Sequence, residues 1–292
     1  MQYIRDLKKY HWPKGPQDAV RLMMQEPCAE IIAGGTELLV SGLKGKEVNN
    51  LIDITRAGLS YIKKDKKTIK IGATTTISEL QHAPVFKDFA DGIISAAAAK
   101  FVSVQIRNAA TIGGNLGAAM PSSDLAPVLM ALDAKIFVCG KENKEFAING
   151  FYISKRKTVM APCEIITEIE LPLACGDDKT GYAFQKIGRT EMDIALVNGA
   201  AAITINAGGE VKNARLSLGS VAPNTIRCLE IENNLLGKKL TRELIAAACD
   251  NIAKAIDPKT DVRASAKYRG TIAKVIATRL IEEAYIKAGG KI

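Results

Sequence analysis

Apolar residues along this chain follow two rhythms, and the rhythm changes at glycine, proline and lysine-rich punctuation. Between Asp18 and Glu26 the apolar positions Ala19, Leu22 and Met23 have helical spacing, and the pattern stops at Pro27. A short apolar run from Ala29 to Ala33 predicts a strand. Thr36 can cap a helix over Glu37 to Leu43, closed by Gly45. Asn50-Leu51-Ile52-Asp53-Ile54 predicts a second strand, so residues 1 to about 55 form a small α/β unit whose central turn is Gly34-Gly35.

Strands are next predicted at Tyr61-Ile62 and Thr68 to Gly72, across a lysine-rich turn, followed by helices over Ile77 to Leu80 and Gly92 to Lys100. Phe101 to Ala110 reads as irregular chain. Asp124 can cap a helix from Leu125 to Leu132, with Pro127 tolerated in its first turn. Strands over Ala134–Cys139, Glu145–Ile148 and Glu164–Leu171 end this region at Pro172. From Ala174 to Lys179 the chain turns polar and glycine-containing, which predicts a domain boundary. The first domain is then 1–173, with subdomains of about 1–55 and 56–173, and the second is 174–292. Gly181–Ile187, Ala195–Asn206 and Ala214–Ser220 predict an antiparallel sheet, with a hairpin turn at Ala207-Gly208-Gly209-Glu210. Helices from Thr241 to Ile256 and from Lys267 to Lys287, ended by Gly289-Gly290, close the chain. The fold class is α+β, in two parts.

At 292 residues, 47% of them hydrophobic and 24% charged, the chain has the size for two domains and the make-up of a globular protein. No apolar run approaches the ~20 residues that span a bilayer. Met1 to Lys8 lacks the apolar core of a signal peptide, so a cytoplasmic protein is expected. The cysteines Cys28, Cys139, Cys163, Cys175, Cys228 and Cys249 are scattered, with no C-x-x-C or iron–sulfur ligand run, and are expected to be reduced thiols. His11 and His82 have no clustered partners, so no metal site is expected on this chain. The net charge of +9 is densest at Lys63-Lys64-Asp65-Lys66-Lys67 and at Lys155-Arg156-Lys157. These are either a solvated turn and loop, or a field favouring an anion such as a dinucleotide or an acidic partner. Neither is interleaved with aromatics, and no nucleic-acid partner is expected.

The candidate chemistry lies in two glycine-centred segments, Ile31-Ile32-Ala33-Gly34-Gly35-Thr36-Glu37-Leu38 and Thr111-Ile112-Gly113-Gly114-Asn115-Leu116-Gly117. Each reads as a buried strand end breaking into a side-chain-poor turn, which lets backbone N–H groups approach a phosphate closely. One Gly-Gly after a strand is often only a turn. Two suit an extended pyrophosphate gripped from two sides. Neither contains G-x-G-x-x-G, the strand–helix alternation of a doubly wound sheet is missing, and the P-loop lysine is absent. Thr36, Thr111 and Asn115 add small hydrogen-bonding side chains. Asp124, in Pro121-Ser122-Ser123-Asp124, would repel a phosphate; it fits ribose or ribityl hydroxyls, a helix N-cap, or both.

Ala33-Gly34-Gly35-Thr36-Glu37-Leu38 and Thr111-Ile112-Gly113-Gly114-Asn115 resemble the two FAD-pyrophosphate loops of the molybdenum hydroxylase flavoproteins. These are the medium subunits of bacterial xanthine dehydrogenases, carbon monoxide dehydrogenases and related enzymes. The family's Pro-x-Gln-Ile-Arg-Asn pattern appears here as Ser103-Val104-Gln105-Ile106-Arg107-Asn108. Ser122-Ser123-Asp124-Leu125-Ala126-Pro127, Ile165-Ile166-Thr167-Glu168-Ile169-Glu170-Leu171-Pro172, and Ala183-Phe184-Gln185-Lys186-Ile187-Gly188-Arg189 with Asp193-Ile194-Ala195 match it too. Val221-Ala222-Pro223-Asn224-Thr225-Ile226-Arg227-Cys228 and Arg263-Ala264-Ser265-Ala266-Lys267-Tyr268-Arg269 resemble the xanthine dehydrogenase branch.

The resemblance implies a two-part FAD-binding domain of the PCMH type, then a domain like the carbon monoxide dehydrogenase flavoprotein C-terminal domain. It implies non-covalent FAD, with Ile32, Ala33, Gly34, Gly35, Thr36 and Glu37 around the pyrophosphate and Thr111, Gly113, Gly114 and Asn115 as a second clamp. Asp124 would hold ribityl or ribose hydroxyls and Ile166 would pack on the flavin ring. Phe101 would flank the adenine, or else is a core residue. Family members often carry a lysine directly after the aromatic of the Phe184 segment; here Gln185 stands there and Lys186 follows, so either could meet the flavin's polar edge. The implied activity is electron transfer from [2Fe–2S] clusters through FAD to NAD⁺ in xanthine or hypoxanthine oxidation. No catalytic acid or base is implied. The implied partners are a large molybdopterin subunit and a small [2Fe–2S] subunit, in a dimer of heterotrimers. Flavoprotein subunits of aldehyde, nicotinate or carbon monoxide dehydrogenases, a self-contained FAD oxidoreductase, and a basic binding module remain as alternatives.

Overall fold

The computed structural model describes residues 7–42, 48–173 and 178–292. The chain opens with β1 (Lys9–His11), α1 (Pro16–Gln25), β2 (Ala29–Ile32) and β3 (Asn50–Asp53), and the three strands form a parallel sheet in the order β1-β3-β2. Pro16 starts α1 where a missing N–H costs nothing, and the helix buries Ala19 and Val20 against Ile52 and Ile54. After β2 the chain turns at Gly35, whose φ of +68° is left-handed, into a wide helical turn over Leu38–Gly42. This turn replaces the start of the helix expected over Glu37 to Leu43; Leu43 and Gly45 lie outside the described residues.

The second unit runs through β4 (Ile62–Lys64), β5 (Thr68–Gly72), α2 (Ile77–His82), α3 (Val85–Asp88), α4 (Ile93–Ala99), α5 (Val104–Ala109), α6 (Ile112–Gly117) and α7 (Leu125–Ala131). It continues through β6 (Lys135–Cys139), β7 (Lys144–Ala147), β8 (Tyr152–Ser154), β9 (Lys157–Thr158) and β10 (Ile165–Pro172). Its main sheet is antiparallel, in the order β4-β5-β10-β6-β7. Ile69, Ile71, Ile136 and Ile169 pack in one core with Ile77, Leu80, Ile112 and Leu116. The stretch from Phe101 to Ala110 is not irregular, as expected, because it holds α5. That helix is too short to show a period; Ser103 Oγ accepts from the Ile106 N–H, and Arg107 Nη1 donates to the carbonyls of Ala99, Phe101 and Val102.

The last unit comprises β11 (Lys179–Ile187), β12 (Val197–Ile205), β13 (Val211–Gly219) and β14 (Ile226–Arg227), all antiparallel. Then come α8 (Leu229–Leu235), α9 (Arg242–Cys249) and α10 (Ala266–Lys287). Ala183, Ala201 and Ile203 face Ala277, Leu280 and Ala284 of α10. Close approach needs small residues there: a methyl on Gly181 would lie 2.1 Å from the Ala284 carbonyl oxygen. The opposite face, with Phe184, Ala200 and Ala202, belongs to the same core as α7. All of α7 is buried, because this second sheet covers its remaining face, and Ser217 Oγ donates to the Pro127 carbonyl at 2.6 Å. The two parts therefore share a seam. Among the described residues, no helix is long and apolar enough to cross a membrane.

Candidate functional site

The first glycine segment leaves the end of β2 and lies against the end of α5. A methyl on Gly34 would sit 1.7 Å from the Ala109 carbonyl oxygen, so this approach needs glycine. One residue on, the chain passes through Ala110 to Thr111, which bridges to Thr76. The two glycine segments are thus brought together by backbone contact.

The second segment differs from expectation. It is the cap and body of α6, because Thr111 Oγ1 accepts from the Gly114 N–H at 3.1 Å. Gly113 is buried and donates to the Ala73 carbonyl at 2.8 Å; a methyl there would come within 2.7 Å of Ala73. Its glycine is therefore required by packing. Gly114 and Gly117 are exposed, and a methyl on Gly114 would come close only to Thr111 Oγ1. Ile166, buried on β10 beside a bulge, reaches α6: its Cδ1 would be 3.8 Å from a methyl on Gly117.

Asn115 Oδ1 accepts from Ser123 Oγ at 2.6 Å, and Ser123 Oγ accepts from the Ala126 N–H at 3.1 Å. Ser123, rather than Asp124, therefore caps α7. Asp124 makes no capping bond. Its Oδ2 is paired with Lys186 Nζ at 2.7 Å and its Oδ1 accepts from Asn198 Nδ2 at 2.9 Å, while Lys186 Nζ also donates to the Lys100 carbonyl at 2.8 Å. Both side chains of the ion pair are less than 5% exposed, at 3% for Lys186 and 4% for Asp124. Burial pushes the Asp124 carboxyl above its ordinary range, and Lys186 and Asn198 pull against that rise.

Strand alternation separates the two neighbours on β11. Lys186 shares the face of Phe184 and reaches Asp124, whereas Gln185 lies on the opposite face, with Nε2 3.4 Å from Glu283 Oε2 of α10. Gln185 is thus not brought to this cluster. Phe101 is half-buried at the edge of the core, and its carbonyl is held by Arg107. Ile32 is buried with Leu51, Ala33 packs on the α1 core, and Thr36 is half-buried in the loop.

Three residues escaped the sequence reading of the site. Arg156, in the β8–β9 turn, pairs with Glu37, so the basic cluster Lys155-Arg156-Lys157 lies beside the first loop. The cluster was visible as charge, but not the return of that turn onto the first unit. Arg107 was visible only within a motif, and Asn198 gave no signal at all. Side-chain-poor turns let backbone approach an anion such as a pyrophosphate closely, and two such segments side by side suit an extended one. The Gly34–Ala109 contact joins such segments, and Gly114 and Gly117 keep their surface bare. The residues present fit FAD.

Residues 5–174 match the family described as FAD binding domain in molybdopterin dehydrogenase, and residues 182–284 match the CO dehydrogenase flavoprotein C-terminal domain. The chain is 31% identical over 284 residues to the carbon monoxide dehydrogenase medium chain of Hydrogenophaga pseudoflava, covering 96% of this chain and 97% of that one. It is 27% identical over 295 residues to the xanthine dehydrogenase FAD-binding subunit of Escherichia coli O157:H7, covering 98% and 99%. A solved carbon monoxide dehydrogenase from Hydrogenophaga pseudoflava, which lacks the Mo-pyranopterin moiety of its cofactor, matches with a TM-score of 0.90 at 30% identity over 96% of this chain and 98% of that chain. Fold and site define an oxidoreductase subunit built to hold FAD. This chain belongs to the FAD-binding medium subunits of the molybdenum hydroxylase family. Carbon monoxide and xanthine dehydrogenase relatives are both similar along nearly its whole length, so the likeness does not single out a substrate.

Proposed function

We propose that this chain transfers electrons from the [2Fe–2S] clusters of a small partner subunit through FAD to NAD⁺. A large molybdopterin subunit would meanwhile oxidise a purine such as xanthine or hypoxanthine. The observation that carries the reading is the pair of glycine segments joined at Gly34 and Ala109, within a chain that also seals Lys186 against Asp124. The purine assignment draws on the likeness of Val221–Cys228 and Arg263–Arg269 to the xanthine dehydrogenase branch. An assembly as a dimer of heterotrimers in the cytoplasm follows from the same reading.

FAD, when bound, takes up electrons singly and gives them up in pairs. The chain's own residues bind and orient it. Ile32 to Glu37 would hold the pyrophosphate through backbone N–H groups and short side chains. Thr111, Gly113, Gly114 and Asn115 would form the second clamp by keeping α6 bare enough for close approach, since the Gly113, Gly114 and Asn115 N–H groups are bonded within the chain. Asp124 would meet the sugar-alcohol hydroxyls, Ile166 would exclude water from the ring, and Phe101 would flank the adenine. Lys186 has two of its three donors engaged by Asp124 and the Lys100 carbonyl, and its charge would favour the electron-rich flavin. The complex, purified with its partner subunits, should release intact FAD on acid precipitation, and anaerobic NADH should bleach its flavin. Protein that takes up no FAD would refute the reading. Coupling only to a quinone or to oxygen would refute the NAD⁺ half, and turnover of carbon monoxide, nicotinate or an aldehyde in place of xanthine would refute the purine half.

A further inference from the structure

Asp124 and Lys186 are tied to the second glycine segment by a residue on β12. Asn198 is fully buried, and its Nδ2 donates both to Asp124 Oδ1 at 2.9 Å and to the Ser123 carbonyl at 3.0 Å. Across the sheet it stands directly opposite Lys186. Ser123 in turn donates to Asn115 Oδ1. A hydrogen-bonded path therefore runs from Asn115 through Ser123 and Asn198 to Asp124 and Lys186.

The other end of this amide has no such use. Among the described residues Asn198 Oδ1 has no hydrogen-bond partner, and it lies so close to Gly219 that a methyl there would come within 2.2 Å. An apolar side chain would suit that position without a stranded oxygen. What the asparagine adds is its two donated bonds.

We infer that Asn198 is a positioning residue of the electron-transfer site, holding the Asp124 carboxylate in register with Ser123 and so setting how far that carboxylate compensates Lys186. The inference rests on the FAD reading above. The charged groups acting on Asp124 are Lys186 from β11 and Lys100 from the end of α4, and the neutral Asn198 supports them from β12. Burial opposes the carboxylate. Without Asn198 one oxygen loses its donor, the carboxyl takes up a proton more readily, and the Lys186 charge is left less compensated. A less compensated cation favours the reduced flavin, so its midpoint potential rises.

The test is a potentiometric titration of the FAD-loaded protein carrying Asn198→Leu, with Asn198→Ser as the variant to use where leucine prevents folding. A flavin potential above that of the unaltered protein is expected. In an Asp124→Asn background, Asn198→Ser should move the potential no further, because the carboxylate through which it acts is gone. A purely structural role would lower thermal stability and leave the potential alone. An unchanged or lowered potential, or an equal shift in the Asp124→Asn background, overturns the positioning role. Failure of the unaltered chain to take up FAD overturns the reading beneath it, and is recognised by the absence of bound flavin before any substitution.

Discussion

Gly34 and Ala109 touch backbone to backbone, with no room for a single methyl group between the first glycine loop and the end of α5. That contact makes one rim out of two segments distant in the chain. It also makes Gly34 a packing residue as well as a loop residue.

Gly34→Ala should therefore disturb folding before it disturbs binding. Its methyl would meet a backbone carbonyl, which cannot swing aside, and overpacking of this kind costs about 3 kcal/mol. The expected result is a lower thermal midpoint together with reduced FAD content. A variant with unaltered melting would show that the two segments can separate freely.

Gly114→Val should separate the two effects. The position is exposed, and its nearest obstacle is Thr111 Oγ1, the end of a small side chain that caps α6. Losing that cap costs only about 1 kcal/mol, so the chain should stay folded by circular dichroism while FAD retention is abolished. Normal flavin content in this variant would sink the two-sided grip.

Lys186 and Gln185 are neighbours in sequence and opposites in environment. Lys186→Met would leave Asp124 buried without its cation, a loss of roughly 3–5 kcal/mol for a broken buried pair. Gln185→Ala removes one long contact to Glu283 and should stay within about 1 kcal/mol. Chemical denaturation of the two variants side by side measures the difference. Equal losses would contradict the assignment of Lys186 to the seam.

Acid should loosen the start of α10 in a defined way. Hydrogen bonding from Arg263 holds the Asp261 carboxyl below its ordinary value of 3.8, helped by the Arg263 and Ala264 N–H groups, and Arg269 pairs with it as well. A lowered carboxyl pKa contributes stability above the unfolded value, and that contribution disappears as the pH falls below it. The thermal midpoints of the unaltered chain and Asp261→Asn should therefore differ most at neutral pH and converge as the pH drops below 3.8. A gap independent of pH would mean that the carboxylate charge is not what holds α10.

Long periodic runs were legible before the structure. The strands around Thr68–Gly72, Ala134–Cys139 and Gly181–Ile187 and the final helix stand close to their expected places, because burial on one face repeats over enough residues to leave a rhythm. Helices α5 and α6 left no rhythm. They are held by single hydroxyl caps, Ser103 and Thr111, and by the backbone of neighbouring segments. Strands β8 and β9 are too short to carry a pattern, so the approach of Arg156 to Glu37 was invisible.

By itself the sequence determined the family and its FAD-binding domain, since motifs such as Ala33–Leu38 and Thr111–Asn115 are runs of local residue identity that need no tertiary contact to be read. Only the tertiary structure decided which side chains act together. Lys186 rather than Gln185 reaches Asp124 because one strand's pleat gives each residue a single face. Asn198 joins them because two sheets and α7 close over a buried polar group that must keep its hydrogen bonds. Such selections depend on contacts between segments far apart in the chain, and local residue preference carries no record of them.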